Sequence, residues 1–159
     1  MAAHYTNITQ AEMEDFLVKQ NGFYPKPMTL PRTVELVYGK QLKHKNFRLT
    51  LRVYTGINPS GQSRQVGEDA IRVTLFMWVA EGKVVKLAGD RRVHRVAGWR
   101  ANLQNRIDRW LENFPDQICP ACGKPMVPRA VGKSKTPTFL GCVGFPECRK
   151  TLPLPKENS

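Results

Sequence analysis

Long apolar runs are missing from this sequence. Nothing approaches the roughly 18 consecutive apolar residues that a membrane-spanning helix needs, and no basic stretch leads into an apolar run near the amino terminus, which argues against a secretory signal. A cytoplasmic location is the resulting expectation. Acidic residues are also scarce, with 13 Asp+Glu against 25 Lys+Arg, a formal charge of +12. The three histidines, His4, His44 and His94, have no carboxylate or cysteine partner at a useful spacing. Glycine-rich phosphate loops are lacking too: Gly132-Lys133-Ser134 has no glycine at the upstream position that begins such a loop, and there is no serine nucleophile elbow. Nucleotide hydrolysis and serine chemistry are therefore unsupported. A cationic excess of this size attracts polyanions through counterion release, which points to nucleic acid.

Cysteine is rare and unevenly placed. All four cysteines lie in residues 116–159, which carry 7 Lys+Arg and 3 Asp+Glu, whereas residues 1–115 carry 18 and 10 and no cysteine. Asn113-Phe-Pro-Asp116 ends a helical pattern on a proline and opens the cysteine region. The chain is thus expected to form a basic domain over 1–115 and a small module over 116–159, its last residues frayed.

Cys119-Pro-Ala-Cys122 and Cys142-Val-Gly-Phe-Pro-Glu-Cys148 place two thiol pairs in two knuckles. Four thiolates converging on one tetrahedral centre suit one Zn²⁺ ion, and a closed four-sulfur shell makes it structural, with no position open for water or substrate. A disulfide pair would need an oxidising compartment, and the spacing does not follow the usual iron–sulfur patterns. The run Cys119-Pro-x-Cys122-Gly-Lys-Pro-Met-Val-x-Arg129, with Phe139-Leu-Gly-Cys142-x-Gly-Phe145-Pro-Glu-Cys148-Arg-Lys, resembles the C4 zinc ribbons repeated at the carboxyl end of bacterial type IA DNA topoisomerases. The resemblance covers about residues 117–153, and no sign of that family's catalytic region precedes it. It implies binding of single-stranded DNA by aromatic and basic side chains on a small sheet, a role that falls by position on Arg129, Phe139, Phe145, Arg149 and Lys150. The basic insert Ala130–Pro137 is a candidate phosphate-contacting loop. Phe139 equally suits a small core around the metal; Phe145, inside a knuckle, is expected to be exposed.

The amino-terminal region reads as α+β, with two helices layered on an antiparallel sheet in the order α-β-β-β(-β)-α and the zinc ribbon following. Thr9 and Glu12 form a capping box ahead of the apolar stripe Met13, Phe16 and Leu17, so a helix is expected over Thr9–Gln20, stopped by Asn21-Gly22. Strands are expected over Thr33–Tyr38, Asn46–Thr55 and Ala70–Val79, with a turn at Glu81-Gly82 into Lys83–Leu87. Trp99, Leu103, Ile107, Trp110, Leu111 and Phe114 recur at helical spacing from about Ala97 to Phe114.

Strand alternation separates two faces. Phe47, Leu49, Leu51 and Val53, with Ile71, Val73, Leu75, Met77 and Val79, are expected under the helices; Arg48, Arg52 and Tyr54, with Arg72, Phe76 and Trp78, share the other face. Arginine interleaved with large rings suits nucleic acid, bases stacking while guanidiniums hold phosphates, but the same rings would suit burial under a loop or a protein interface. Lys43, Lys45, Arg91, Arg92 and Arg95 add cations. Arg64 lies in the long polar segment Gly56–Gly67, a candidate for ordering on phosphate. The partner expected is DNA, single-stranded rather than duplex. Two alternatives stay open: a metal-dependent nuclease using Asp69, Glu81 and Lys83, although Glu81 reads as a turn, and an adaptor docking DNA-processing proteins.

Overall fold

The computed structural model describes residues 8–26, 29–30, 33–57, 70–87 and 91–154. The first helix starts as its cap demands: the Thr9 hydroxyl accepts a hydrogen bond from the Glu12 N–H at 3.1 Å and donates to the Glu12 carboxylate. The helix α1, Gln10–Glu14, does not run on as α-helix to Gln20. It widens into a π-helical turn, Asp15–Gln20, and the Asn21 side-chain amide takes the Phe16 carbonyl that this leaves at its end. Gly22, at φ 73°, then reverses the chain.

Tyr24–Lys26 forms a short strand, β1, that alternation had not predicted, and Thr29–Leu30 (β2) pairs with Thr33–Val34 (β3) as a separate ribbon. The expected strand over Thr33–Tyr38 is displaced: β4 is Val37–His44, paired along its length with β5, Phe47–Tyr54. Lys40–Lys45 has little β propensity, but Tyr38 and Leu42 fall opposite Val53 and Leu49 on the core face, and tertiary pairing outweighs propensity. Lys45 and Asn46 make the hairpin turn, both with positive φ (50° and 68°), as two-residue hairpins of this hand require.

The long strand β6, Ala70–Ala80, lines up with β5 on one side. On its other side it pairs with two strands in succession: β8, Arg91–His94, along its first half and β7, Lys83–Lys86, along its second. The sheet order is β1-β4-β5-β6-β7, with β8 on the same edge as β7. The Glu81-Gly82 turn is where the sequence puts it. β8 was hidden because Arg91-Arg-Val-His94 carries one apolar residue; Val93 lands opposite Ile71 and is buried.

The second helix, α2, is Trp99–Asp108, and a 3₁₀ turn over Trp110–Asn113 replaces its expected last turns. Both helices lie on the aliphatic sheet face. Met13 and Leu17 of the first, Leu103 of α2, and Leu49, Leu51, Val53, Ile71, Val73 and Leu75 of the sheet are fully buried in one cluster, and Phe16 meets Trp99 edge to face at 5.4 Å. Burying such side chains is the main stabilising term of the fold, about 1.5–3 kcal/mol for each. Among the described residues no helix is long and apolar enough to cross a membrane.

Phe114 closes this cluster, stacked on Phe47 and edge-on to His44. Beyond it β9 (Met126–Arg129), β10 (Phe139–Cys142) and β11 (Thr151–Pro153) form a three-stranded antiparallel sheet in the order β11-β10-β9. Val127 of β9 and Val143, just after β10, join the larger cluster, while Cys119, Met126, Leu140 and Cys142 make a small one of their own.

Candidate metal centre and nucleic-acid interface

Each cysteine pair is set by a backbone knuckle. In the first, the Cys119 N–H bonds the Lys124 carbonyl at 2.7 Å and the Gly123 N–H bonds the Cys119 carbonyl at 2.8 Å, with Gly123 at φ 79°. In the second, the Gly144 N–H donates to Cys142 Sγ at 3.3 Å and the Cys148 N–H to the Gly144 carbonyl at 3.0 Å. A Cβ on Gly144 would press on the Lys124 side chain, with Cδ at 3.3 Å, while meeting Cys142 and Cys148 only at ordinary contact distance.

The four Sγ atoms lie within 4.8 Å of one another, with Cys122 to Cys142 at 3.3 Å and Cys119 to Cys148 at 3.7 Å. Four sulfurs around a tetrahedral zinc at about 2.3 Å stand about 3.8 Å apart, so the cluster has the size the ion requires. All four thiols are free of disulfides. Burial pushes the Cys142 thiol up to about 12, while at Cys119 burial is outweighed by the N–H groups of Ala121 and Cys122 and the thiol falls to about 7. The residues form a site for one structural zinc ion. Among the described residues they are the one group of side chains close enough to hold a metal.

Beside the sulfurs is a pocket of about 280 Å³ lined by Arg129, Phe139, Phe145, Arg149 and Lys150, together with Gly141, Thr151 and two of the cysteines. The five candidate contact residues of the ribbon, scattered over 22 positions of sequence, thus meet around one concavity. Phe145 is 58% exposed, with the Arg149 guanidinium 5.9 Å from its ring centre; Phe139 is half-buried. Gly141 matters because the Arg129 side chain crosses it, with Cδ and Nε at 3.0 Å from where a Cβ would stand. A glycine inside a strand is the signal for such a close approach.

Residues 116–157 match the family described as Topoisomerase DNA binding C4 zinc finger. The match takes in all four cysteines and the five pocket residues, roughly a quarter of the chain. Comparison with curated proteins and with solved structures gave no match.

Away from the zinc finger, the outer sheet face carries the second set of candidates. Arg48 lies over Trp78 at 4.5 Å, Arg52 over Phe76 at 4.4 Å, and Arg72 over Tyr54, its direct cross-strand partner, at 5.0 Å, a ladder across β5 and β6. Phe76, Trp78 and Tyr54 are half-buried. Trp78 is also held by a line of hydrogen bonds that the sequence did not signal. Trp78 Nε1 donates to Thr50 Oγ1 at 2.9 Å, Thr50 Oγ1 to Gln41 Oε1 at 3.2 Å, and Gln41 Nε2 to the Tyr24 hydroxyl at 2.9 Å, crossing four strands. Lys43 and Lys45 are exposed at the hairpin end of this face.

Two arginines depart from the expected surface role. Arg95 is 2% exposed and donates to the Thr55 carbonyl: it continues the alternation of β8, in which Val93 is buried and Arg92 and His94 are exposed. Arg72 is ion-paired at 2.5 Å with Glu35, itself buried and also accepting from the Gly56 N–H at 2.8 Å, so much of its charge is compensated inside the fold. Arg92 is exposed on β8, and Arg91 is the first residue of that strand. Arg64 and Asp69 lie outside the described residues. Glu81 occupies the turn and Lys83 the first position of β7, so the two do not share one face of one strand.

Proposed function

We propose that this chain is a non-catalytic DNA-binding protein that favours single strands and serves DNA replication, repair or recombination. Residues 1–115 act as a basic α+β nucleic-acid-binding domain and residues 116–159 as a zinc ribbon that binds beside it. One observation carries the reading: Arg129, Phe139, Phe145, Arg149 and Lys150 surround a single pocket next to the zinc-binding sulfurs, in the segment matching a DNA-binding finger. An exposed ring beside cations is what an unpaired base and its phosphate need, and a base inside a duplex offers no free face. The outer sheet face repeats that chemistry. A guanidinium stacked on a ring keeps its in-plane N–H fork available for phosphate, so Arg48 over Trp78 is compatible with strand binding.

Zinc braces the ribbon and takes no part in chemistry, since its four sulfurs complete the shell. The test is a titration of labelled single-stranded and duplex DNA and RNA at two salt concentrations, with a Mg²⁺ lane to detect cleavage. The expected result is tighter binding of single-stranded DNA that weakens steeply with salt, and no cleavage. Strand cleavage would turn the reading toward a nuclease. Binding without salt dependence, or no binding, would turn it toward a protein adaptor.

A further inference from the structure

The hydrogen bonds that run from Trp78 to Tyr24 across the outer sheet face have a direction, and that direction fixes the Gln41 amide. An indole N–H only donates, so the Thr50 hydroxyl, 2.9 Å from Trp78 Nε1, accepts from the ring and turns its own proton to Gln41 Oε1 at 3.2 Å. Thr50 is completely buried, and no solvent competes for that proton. Oε1 therefore faces β5, and Nε2 faces β1, where it donates to the Tyr24 hydroxyl at 2.9 Å. Gln41 itself is exposed. Its amide has two N–H groups and two oxygen lone pairs, and the line uses one of each. The two partners stand on the strands either side of β4, so one N–H and one lone pair remain side by side on an amide whose orientation is set. In the cross-strand register Gln41 faces Thr50 and Thr50 faces Phe76. The amide thus shares a row with a ring of the ladder, two strand spacings or roughly 10 Å away at the backbone. Lys43, exposed two residues further along the same face of β4, adds a cation for a phosphate.

We infer that Gln41 reads the edge of a base stacked on the sheet face and selects adenine, an inference that rests on the proposed binding of single strands there. An N–H beside a lone pair is matched by a base that sets an acceptor beside a donor. Of the two base edges that face away from the sugar, adenine offers this on both, its N6 amino group next to N7 on one and next to N1 on the other. Guanine shows two acceptors on its N7 edge, and cytosine and thymine show one polar group each there, so these three match on the pairing edge alone. A freely turning glutamine would adjust to any base; one locked by Trp78 and Thr50 does not, and this is what gives the residue its selectivity.

The test uses the full zinc-loaded chain and three single-stranded oligonucleotides, identical except at a few central positions that hold adenine, purine (adenine without its N6 amino group) or cytosine. The parent is expected to bind the adenine strand about fivefold or more tightly than the other two. In Gln41→Leu, and in Gln41→Met, which is closer in shape, the adenine and purine strands should bind alike, the purine strand as in the parent, with zinc content and circular dichroism unchanged. Trp78→Ala should weaken the purine strand as well, the mark of lost stacking. If the parent binds adenine no more tightly than purine or cytosine while Trp78→Ala still weakens binding, the inference is overturned and strand binding by the sheet face stands. Adenine preference that survives in both Gln41 variants overturns it too. Unchanged binding in a folded Trp78→Ala chain overturns the reading of the sheet face, and the inference with it.

Discussion

The ribbon and the outer sheet face present similar chemistry, arginine beside an aromatic ring, but they hold it by different means. The sheet face is backed by a core in which nine side chains of β5, β6 and the helices are completely buried, and Trp78 is further fixed by the Trp78–Thr50–Gln41–Tyr24 hydrogen bonds. The ribbon's own cluster has four buried members, two of them cysteines. A module that small cannot exclude enough apolar surface to order itself, and metal–thiolate bonds supply the difference. The contrast teaches that the same surface can rest on packing in one place and on coordination in another, and that the two supports should fail separately.

Removing zinc is the sharpest way to break the comparison. Structural zinc contributes an apparent 10–16 kcal/mol, roughly, to such folds, so a strong chelator should unfold the ribbon while the sheet of β4, β5 and β6 persists; amide exchange resolved by residue checks this. The converse is Leu75→Ala, which opens a cavity in the completely buried core and should cost about 2–5 kcal/mol in chemical denaturation, with one zinc still bound. Binding then compares the two surfaces. Trp78→Ala and Phe145→Ala should each lower affinity for single-stranded DNA by about 1–3 kcal/mol if each ring stacks on a base. A loss for Phe145→Ala alone would make the sheet face structural. The smallest effect is expected from Thr9→Ala, about 1 kcal/mol of stability from the lost helix cap, with DNA affinity unchanged.

The metal site was fully legible, because Cys119, Cys122, Cys142 and Cys148 state a ligand set in their spacing and leave the fold few ways to satisfy it. Strand alternation likewise placed Leu49, Leu51, Ile71 and Val73 in the core and Arg48, Phe76 and Trp78 together on the other face. What escaped was anything decided by partners distant in sequence. Lys40–His44 carries loop-like residues, yet β5 pairs with it; Arg91–His94 lacks alternation, yet the free edge of β6 recruits it. Arg95 and Arg72 read as surface cations because the partners that take them inside, the Thr55 carbonyl and Glu35, are 40 and 37 positions away in sequence. The widening of the first helix into a π turn has no local signal that we can identify.

The central claim is that rings in both modules grip one unpaired strand. The most direct measurement is the affinity of the zinc-loaded chain for a single-stranded oligonucleotide, compared with that of the double variant Trp78→Ala, Phe145→Ala. The account predicts a loss of more than about tenfold with zinc content and fold preserved. Affinity equal to the parent's in a folded, zinc-loaded double variant would contradict it.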